Sequence, residues 1–358
     1  MNYEFLQQYC WFLVNLVEAI FLFIAFTQGA AMLLPTIAHN DDERGLVISA
    51  MHRVYIVSYA LLGILFALMC GAFPLFCMTT LTDGFALWGL ALTAIVVQGA
   101  LSKCAVREGT LPVRVLMVIS GYIAPLAVGV AISTLFYGAN FAASDSDGTL
   151  SWTTAWHGLD AFANPWNVVL GVSMVFLSQT LGLLYAMASV ENESIRTRAS
   201  VRLWWAALPF VVLFAVWIFH LLFVNGWAVK EDGVIVIETC KYGRNFLEMP
   251  IVAVMFLVGV GFMLAGVVIN LFTRLVSGVW FTGIGVVLVM LGLFQIAGYN
   301  NTAYYPSTVD MQSSLTIANS CSSVFVLAIV SMASFVLPLI FGCIVWAWRS
   351  FDKSMEND

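Results

Sequence analysis

Glu18 is the carboxylate set deepest in an apolar run, in the stretch LVNLVEAIF. Burying an ionisable group in hydrocarbon is costly enough to demand a task or a partner. Asn15 precedes it by three residues, a spacing that puts both on one helical face, so its amide can hydrogen-bond the carboxyl. Gln28 lies farther along the same run. Two readings stand: a water-lined proton relay, or a neutral glutamate that holds a helix interface. Histidine gives a weaker signal. His39, His52, His157 and His220 are scattered, no apolar run holds two of them, and no pair has the spacing of a haem or metal site. His220, in AVWIFHLLF, is the one candidate intramembrane ligand, against the plainer reading of a packed, hydrogen-bonded imidazole. The seven cysteines, at positions 10, 70, 77, 104, 240, 321 and 343, are odd in number and dispersed. Without a Cys-x-x-Cys motif they read as small core residues rather than a disulfide scaffold or a metal centre.

The elements that position these groups must be membrane helices. Of the 358 residues, 61% are hydrophobic and 9% charged, whereas soluble domains carry about 25% charged residues. Continuous apolar runs of near-spanning length exclude a soluble enzyme and favour helices over a barrel, whose strands would alternate. Nine spans are expected: Tyr9 to Leu34, Val47 to Phe73, Phe85 to Ser102, Leu111 to Phe136, Pro165 to Ala188, Val201 to Phe223, Pro250 to Phe272, Gly278 to Ala297, and Val324 to Trp348. The fold class is therefore an all-α polytopic membrane protein, arranged as two four-helix bundles plus one peripheral helix. The corresponding division is an N-terminal bundle over 1–136, a connecting loop over 137–163 and a five-helix region over 164–358. MNYEFLQQYC lacks a basic n-region, so the first helix is expected to stay in the mature protein. Eleven basic residues fall on one set of loop ends, against Lys230, Lys241 and Arg244 on the other. That bias puts the N-terminus outside and the C-terminus in the cytoplasm, in a cytoplasmic (inner) membrane, and no nucleic-acid partner is expected.

Between the spans the polar residues have local uses. HNDDERG supplies a cap for the second span, and in FANPWN Asn164 caps the fifth, with Pro165 in its first turn. Trp166, Trp204 and Trp205 read as interfacial anchors. The stretch YYPSTVDMQSSLTIANSCSS, before the last span, holds one charge and more Ser, Thr, Asn and Gln than capping requires. The surplus points to a contact surface.

That stretch also carries a resemblance. Pro306, Ser307, Asp310, Ser314, Leu315, Thr316, Ile317, Asn319, Ser320, Ser322 and Ser323 are similar in order and spacing to a pattern of subunit II of the cytochrome bd-type quinol oxidases. AMLLPTIAHNDDERGLVIS, with Met32, Leu33, Leu34, Pro35, Asn40, Asp41, Glu43 and Arg44, resembles that family's first inner loop. ANPWNVVLGVSMVFLSQTLGLLYA, with Asn164, Pro165 and Gly171, resembles its fifth helix. The resemblance implies one half of a terminal oxidase that oxidises ubiquinol or menaquinol and reduces O2 to water. Haem b and haem d-type groups would sit in a partner subunit I, with no catalytic residue, haem or metal ligand in this chain. It also implies bound quinone or phospholipid, contact with lipids and a small single-span accessory subunit.

Two acidic segments of the family pattern are missing. IAFTQ, Ile24 to Gln28, holds no carboxylate, and Ile56 stands where an aspartate is expected. Either Glu18, Gln28 and His52 form a substitute proton path, or protons enter through subunit I alone; the second is favoured, because a relay needs a linked series of groups. Asn164, Trp166, Asp310, Ser314, Thr316, Asn319 and Ser323 are the candidates for contact with a subunit, quinone or lipid. A secondary transporter or a purely structural membrane subunit are the competing readings, although no inverted repeat supports the transporter.

Overall fold

Several helices begin where a short polar side chain can close the first turn. Asn40 Oδ1 accepts from the Glu43 amide at 2.8 Å, Asn164 Oδ1 from Trp166 at 3.0 Å and Asn192 Oδ1 from Ile195 at 3.1 Å. Prolines 74, 165 and 250 occupy first turns, where a missing N–H costs nothing. The computed structural model describes residues 2–107, 110–143, 149–273 and 277–336, and also 338, 339 and 342. Helix α1 (Tyr3–Phe26) passes through a 3-10 segment (Thr27–Leu33) into α2 (Leu34–Ile37). Then come α3 (Asp41–Ala72), the short α4 (Pro74–Met78), a π-helical turn (Thr79–Asp83), α5 (Phe85–Arg107), α6 (Leu111–Tyr137), α7 (Pro165–Ser189) and α8 (Glu193–Phe223). The C-terminal part holds α9 (Lys241–Glu248), α10 (Pro250–Phe272), α11 (Gly278–Gly298), α12 (Ile317–Ser320) and α13 (Val324–Ala333). Strands β1 (Phe141–Ala143) and β2 (Leu150–Trp152) make one antiparallel hairpin, and β3 (Gly226–Val229) and β4 (Ile235–Glu238) the other.

Among the described residues, eight helical runs are long and apolar enough to cross a membrane, and the apolar α13 opens the ninth. Most of the expected ninth span beyond Val336 lies outside the described residues. The spans start earlier than hydropathy places them: at Tyr3 rather than Tyr9, Asp41 rather than Val47, and Glu193 rather than Val201. Hydropathy marks the lipid-soluble part of a helix, whereas a cap and acidic first turn carry it onward into water.

Helices α5, α6, α7 and α8 pack in sequence order, α1 lies against α3, α7 and α11, and α10 pairs with α11. Helix α13 packs on α1 and α3 rather than on its sequence neighbours. The break in the first crossing lies where α7 passes. A Cβ at Gly182 would sit 2.0 Å from the Ala30 nitrogen, and one at Gly29 would sit 1.9 Å from the Ser178 carbonyl oxygen. Backbone touches backbone there, as small residues permit between membrane helices. Ser178 Oγ donates to the Phe26 carbonyl at 3.1 Å, so an acceptor at the break stays satisfied.

One face of the helix set is closed by a woven cap. The 299–323 shoulder pairs through isolated bridges with residues 139 and 228 and with itself at Tyr305 and Leu315. Gln312 clamps Ile235 by accepting from its N–H at 3.1 Å and donating to its carbonyl at 2.8 Å. The N-terminus joins the same face, with Tyr3 OH donating to the Ser322 carbonyl at 3.0 Å. Trp11, Phe73 and Phe76 surround Tyr304, the nearest ring centroid at 4.5 Å. Burial pushes the Tyr304 phenol well above its ordinary pKa, so it donates to Ser320 Oγ at 2.8 Å as a neutral hydroxyl.

Candidate functional site

Glu18 projects from α1 toward α3, α5 and α6, where it lines a cavity of about 90 Å³ together with Met69, Phe76, Thr80, Trp88 and apolar neighbours. A second cavity of about 20 Å³ reaches from Glu18 past Asn15 and Trp11 to Tyr304, beneath the cap. Apart from Glu18, Thr80 and the Trp88 indole, the lining of the larger space is apolar. Among the described residues two nearby buried donors, Asn15 Nδ2 and Trp11 Nε1, have no hydrogen-bond partner. The expected Asn15–Glu18 hydrogen bond is therefore not made. The helical spacing places both side chains on the same cavity wall, but a shared wall does not bring the amide hydrogens to the carboxyl.

Gln28 and His52 are engaged elsewhere. Gln28 Nε2 donates to Ser58 Oγ at 2.5 Å, and Ser58 in turn donates to the Val54 carbonyl at 3.0 Å. His52 Nδ1 lies 3.0 Å from Ser102 Oγ, whose own proton goes to the Gly99 carbonyl at 2.7 Å. Ten helical residues separate Glu18 from Gln28 by about 15 Å along the axis. Among the described residues no hydrogen bond joins Glu18, Gln28 and His52; Gln28 and His52 each pair with a serine instead.

His220 and His157 are used in packing and loop closure. His220 stacks on Trp166 with ring centroids 3.6 Å apart, and its Nδ1 pairs with Tyr137 OH at 2.7 Å. His157 Nδ1 meets the Asp83 carbonyl at 2.8 Å. Among the described residues no group of three or more His, Cys, Asp or Glu is placed to hold a metal ion. With one ring face on Trp166 and Nδ1 on Tyr137, His220 has the contacts of a packed, hydrogen-bonded imidazole.

The shoulder spends much of its polarity internally. Ser314 is buried; its Oγ accepts from the Ser307 amide at 2.9 Å and donates to the Met311 carbonyl at 2.7 Å. Thr316 and Asn319 form a capping box at 3.1 and 2.8 Å, and Asn319 Nδ2 reaches the Ser314 carbonyl at 3.0 Å. Asp310 accepts from the Gln312 amide at 3.2 Å and from the Ser313 hydroxyl. Asp310, Asn319 and Ser323 remain exposed, whereas Ser314 and Thr316 are turned into the chain. Asn164 caps α7, and Trp166 is half-buried against His220.

On the opposite face, sequence reasoning missed a long-range latch. Arg198 donates to both Glu43 carboxylate oxygens at 2.7 and 2.9 Å and to the Ile37 carbonyl at 2.8 Å. Glu43 also accepts from the His39 amide at 2.8 Å. One guanidinium thus ties α8 to the turn between α2 and α3. Asp41 lies beside Arg44 and Arg114 at 3.0 and 2.8 Å. The only local signal was the cap motif around Glu43; its partner lies 155 residues away.

No curated protein matches the sequence. Among solved structures, the fold is similar to a chain described as the structure of bd oxidase from Geobacillus thermodenitrificans, with 14% identity and a TM-score of 0.65. That likeness covers 97% of this chain and 98% of the other. The sequence also matches the family described as Cytochrome bd terminal oxidase subunit II over residues 6–351, from the first helix through the last, and the chain belongs to that family.

Proposed function

We propose that the chain works as the haem-free support of a membrane quinol:oxygen oxidoreductase, packed against a subunit I that holds haem b and haem d-type groups and oxidises ubiquinol or menaquinol. The observation that carries this reading is the family match across residues 6–351. The neighbour of similar fold is itself described as a bd oxidase. Here the chain would shield the partner's redox site from lipid and present Asp310, Asn319 and Ser323 for contact with a subunit, lipid or quinone, with Asn164 and Trp166 holding the start of α7 beneath. A single-span accessory subunit fits the same assembly. The basic residues Arg44, Arg114, Arg196 and Arg198 gather at the helix ends opposite the woven cap, which supports a cytoplasmic location for them and an outer location for the cap and the N-terminus.

The test is a reduced-minus-oxidised spectrum of the complex purified from membranes, with quinol-driven oxygen uptake measured on the same sample. Haem b and d bands are expected in the complex and no haem in this chain isolated from its partner. A haem-free assembly that transports a solute would overturn the assignment in favour of the transporter reading.

Proton uptake from the cytoplasm is assigned to subunit I, because Gln28 and His52 are each paired with a serine and neither is linked to Glu18. Glu18 is then a local polar site on α1, beside Thr80 in the larger cavity and Asn15 in the smaller. Glu18→Gln is expected to leave oxygen uptake within about twofold of the parent complex, a barrier change of a few tenths of a kcal/mol. A loss on the order of tenfold or more, in a complex with full haem content, would restore the relay through this chain.

A further inference from the structure

We propose that Cys70 and Cys77 form a reversible disulfide site at the capped end of the membrane helices, with a small-molecule or protein disulfide as oxidant. The Cys70 thiol donates to Cys77 Sγ at 3.0 Å, and both cysteines are free in this structure. A disulfide bond is about 2.05 Å long, so the sulfurs need approach by only about 1 Å.

Local chain geometry creates the contact. In an unbroken α-helix, residues seven apart are separated by about 10.5 Å along the axis, too far for their sulfurs to meet. Here α3 stops at Ala72, Phe73 leaves the helical region at φ −128° and ψ 63°, and α4 restarts at Pro74 in a new direction. That bend brings the two thiols together. The sequence spacing alone carries no disulfide signal, which is why these residues read as dispersed core cysteines.

The chemistry balances as a thiol–disulfide exchange. Cys70, the more accessible of the two, attacks one sulfur of the oxidant as thiolate and releases the first oxidant thiol. Cys77 then attacks the Cys70 sulfur of the mixed disulfide and releases the second. Two protein S–H bonds and the oxidant S–S bond are lost; one protein S–S bond and two oxidant S–H bonds form. Two electrons and two protons pass to the oxidant.

Closure would fix the bend that carries Phe73 and Phe76 against Tyr304 and Thr80 along the Glu18 cavity. The shoulder sits directly above, with the Ser322 amide donating to the Ala72 carbonyl at 2.9 Å. The proposal rests on the orientation inferred above, because an outer location gives the pair an oxidising compartment.

Met69 and Met78 flank the pair, so cyanogen bromide releases a fragment, residues 70–78, that contains both cysteines and no other. The complex is denatured in N-ethylmaleimide, either as isolated or after incubation in its folded state with oxidised glutathione. Under at least one condition the fragment is expected to be unlabelled and about 2 Da lighter than the dithiol, with two labels admitted only after reduction. Two labels under both conditions, or a bond from either cysteine to another cysteine, would overturn the proposal. Cys77→Ser should leave Cys70 labelled as isolated and, after oxidised glutathione, either labelled or held as the mixed disulfide with glutathione, with no bond inside the fragment. Orientation is read separately, by applying a membrane-impermeant maleimide to intact spheroplasts. Exposed Cys104, at the opposite end of the helices, should react only after permeabilisation. Labelling of Cys104 from outside would reject the orientation, while the fragment mass would still decide the bond.

Discussion

Gly182→Leu is expected to remove the assembled subunit from the membrane, or to lower its stability by about 3 kcal/mol or more where some assembles. Ordinary overpacking costs about 1–3 kcal/mol because neighbouring side chains can rotate aside. Here the obstacle is main chain: the Gly182 Cβ would lie 2.0 Å from the Ala30 nitrogen and 2.5 Å from the Gly29 carbonyl carbon. No rotamer relieves that clash, so α7 and the 3-10 segment would have to separate, exposing the break that Ser178 now satisfies. A loss of this size is a large part of the roughly 5–15 kcal/mol that holds a typical domain together. Gly63→Leu is the control, since a Cβ there meets nothing within 4 Å and the position faces outward. Complex yield and the detergent-phase unfolding midpoint measure both variants. Parent-like values for Gly182→Leu would mean that the close crossing is not required.

The same crossing shows what could be read from the chain and what could not. Hydropathy is a local property, so it located the spans, and a capping residue acts within one turn, so Asn40 and Asn164 were recognisable as helix starts. The Gly29–Gly182 approach depends on how two helices are rotated about their axes, and no window of sequence contains both residues. For the same reason Glu43 was legible as part of a helix start, but its ion pair with Arg198 was not. The shoulder was legible as unusually polar. Its composition suggested an outward surface, yet Ser314, Thr316 and Ser320 are buried and satisfy turns within the chain, because a nonhelical segment threaded among neighbouring loops carries many backbone groups that need partners. Helical periodicity set Asn15 and Glu18 on one face, but the bond between them required a distance that periodicity does not determine.

Asn245→Leu is expected to cost about 3 kcal/mol, although the residue attracts no notice in the sequence. It is fully buried in α9, and both hydrogens of its amide are used, one to the Ile296 carbonyl and one to Thr302 Oγ1, each at 2.8 Å. Its oxygen accepts from Asn300 Nδ2 at 2.9 Å. Asn300 and Asn301 both hold positive φ, 57° and 52°, so the turn that begins the shoulder is conformationally costly and relies on this clamp. Leucine has nearly the same volume, so the loss isolates hydrogen bonding from packing: the Ile296 carbonyl and Thr302 Oγ1 each lose a buried donor, while Asn300 keeps Glu248. Asn245→Asp separates donation from acceptance. A carboxylate keeps an acceptor for Asn300 but turns an oxygen toward the Ile296 carbonyl, so it should cost at least as much as leucine. Thermal unfolding of the intact complex would give both values, and limited proteolysis after the 299–302 turn would report whether the shoulder loosens first. If both substitutions shift stability by less than about 0.5 kcal/mol, the clamp contributes nothing beyond space filling. If they act as expected, the fixed geometry of the shoulder depends on one amide in an interfacial helix, and the exposed residues it presents to a partner are positioned from beneath.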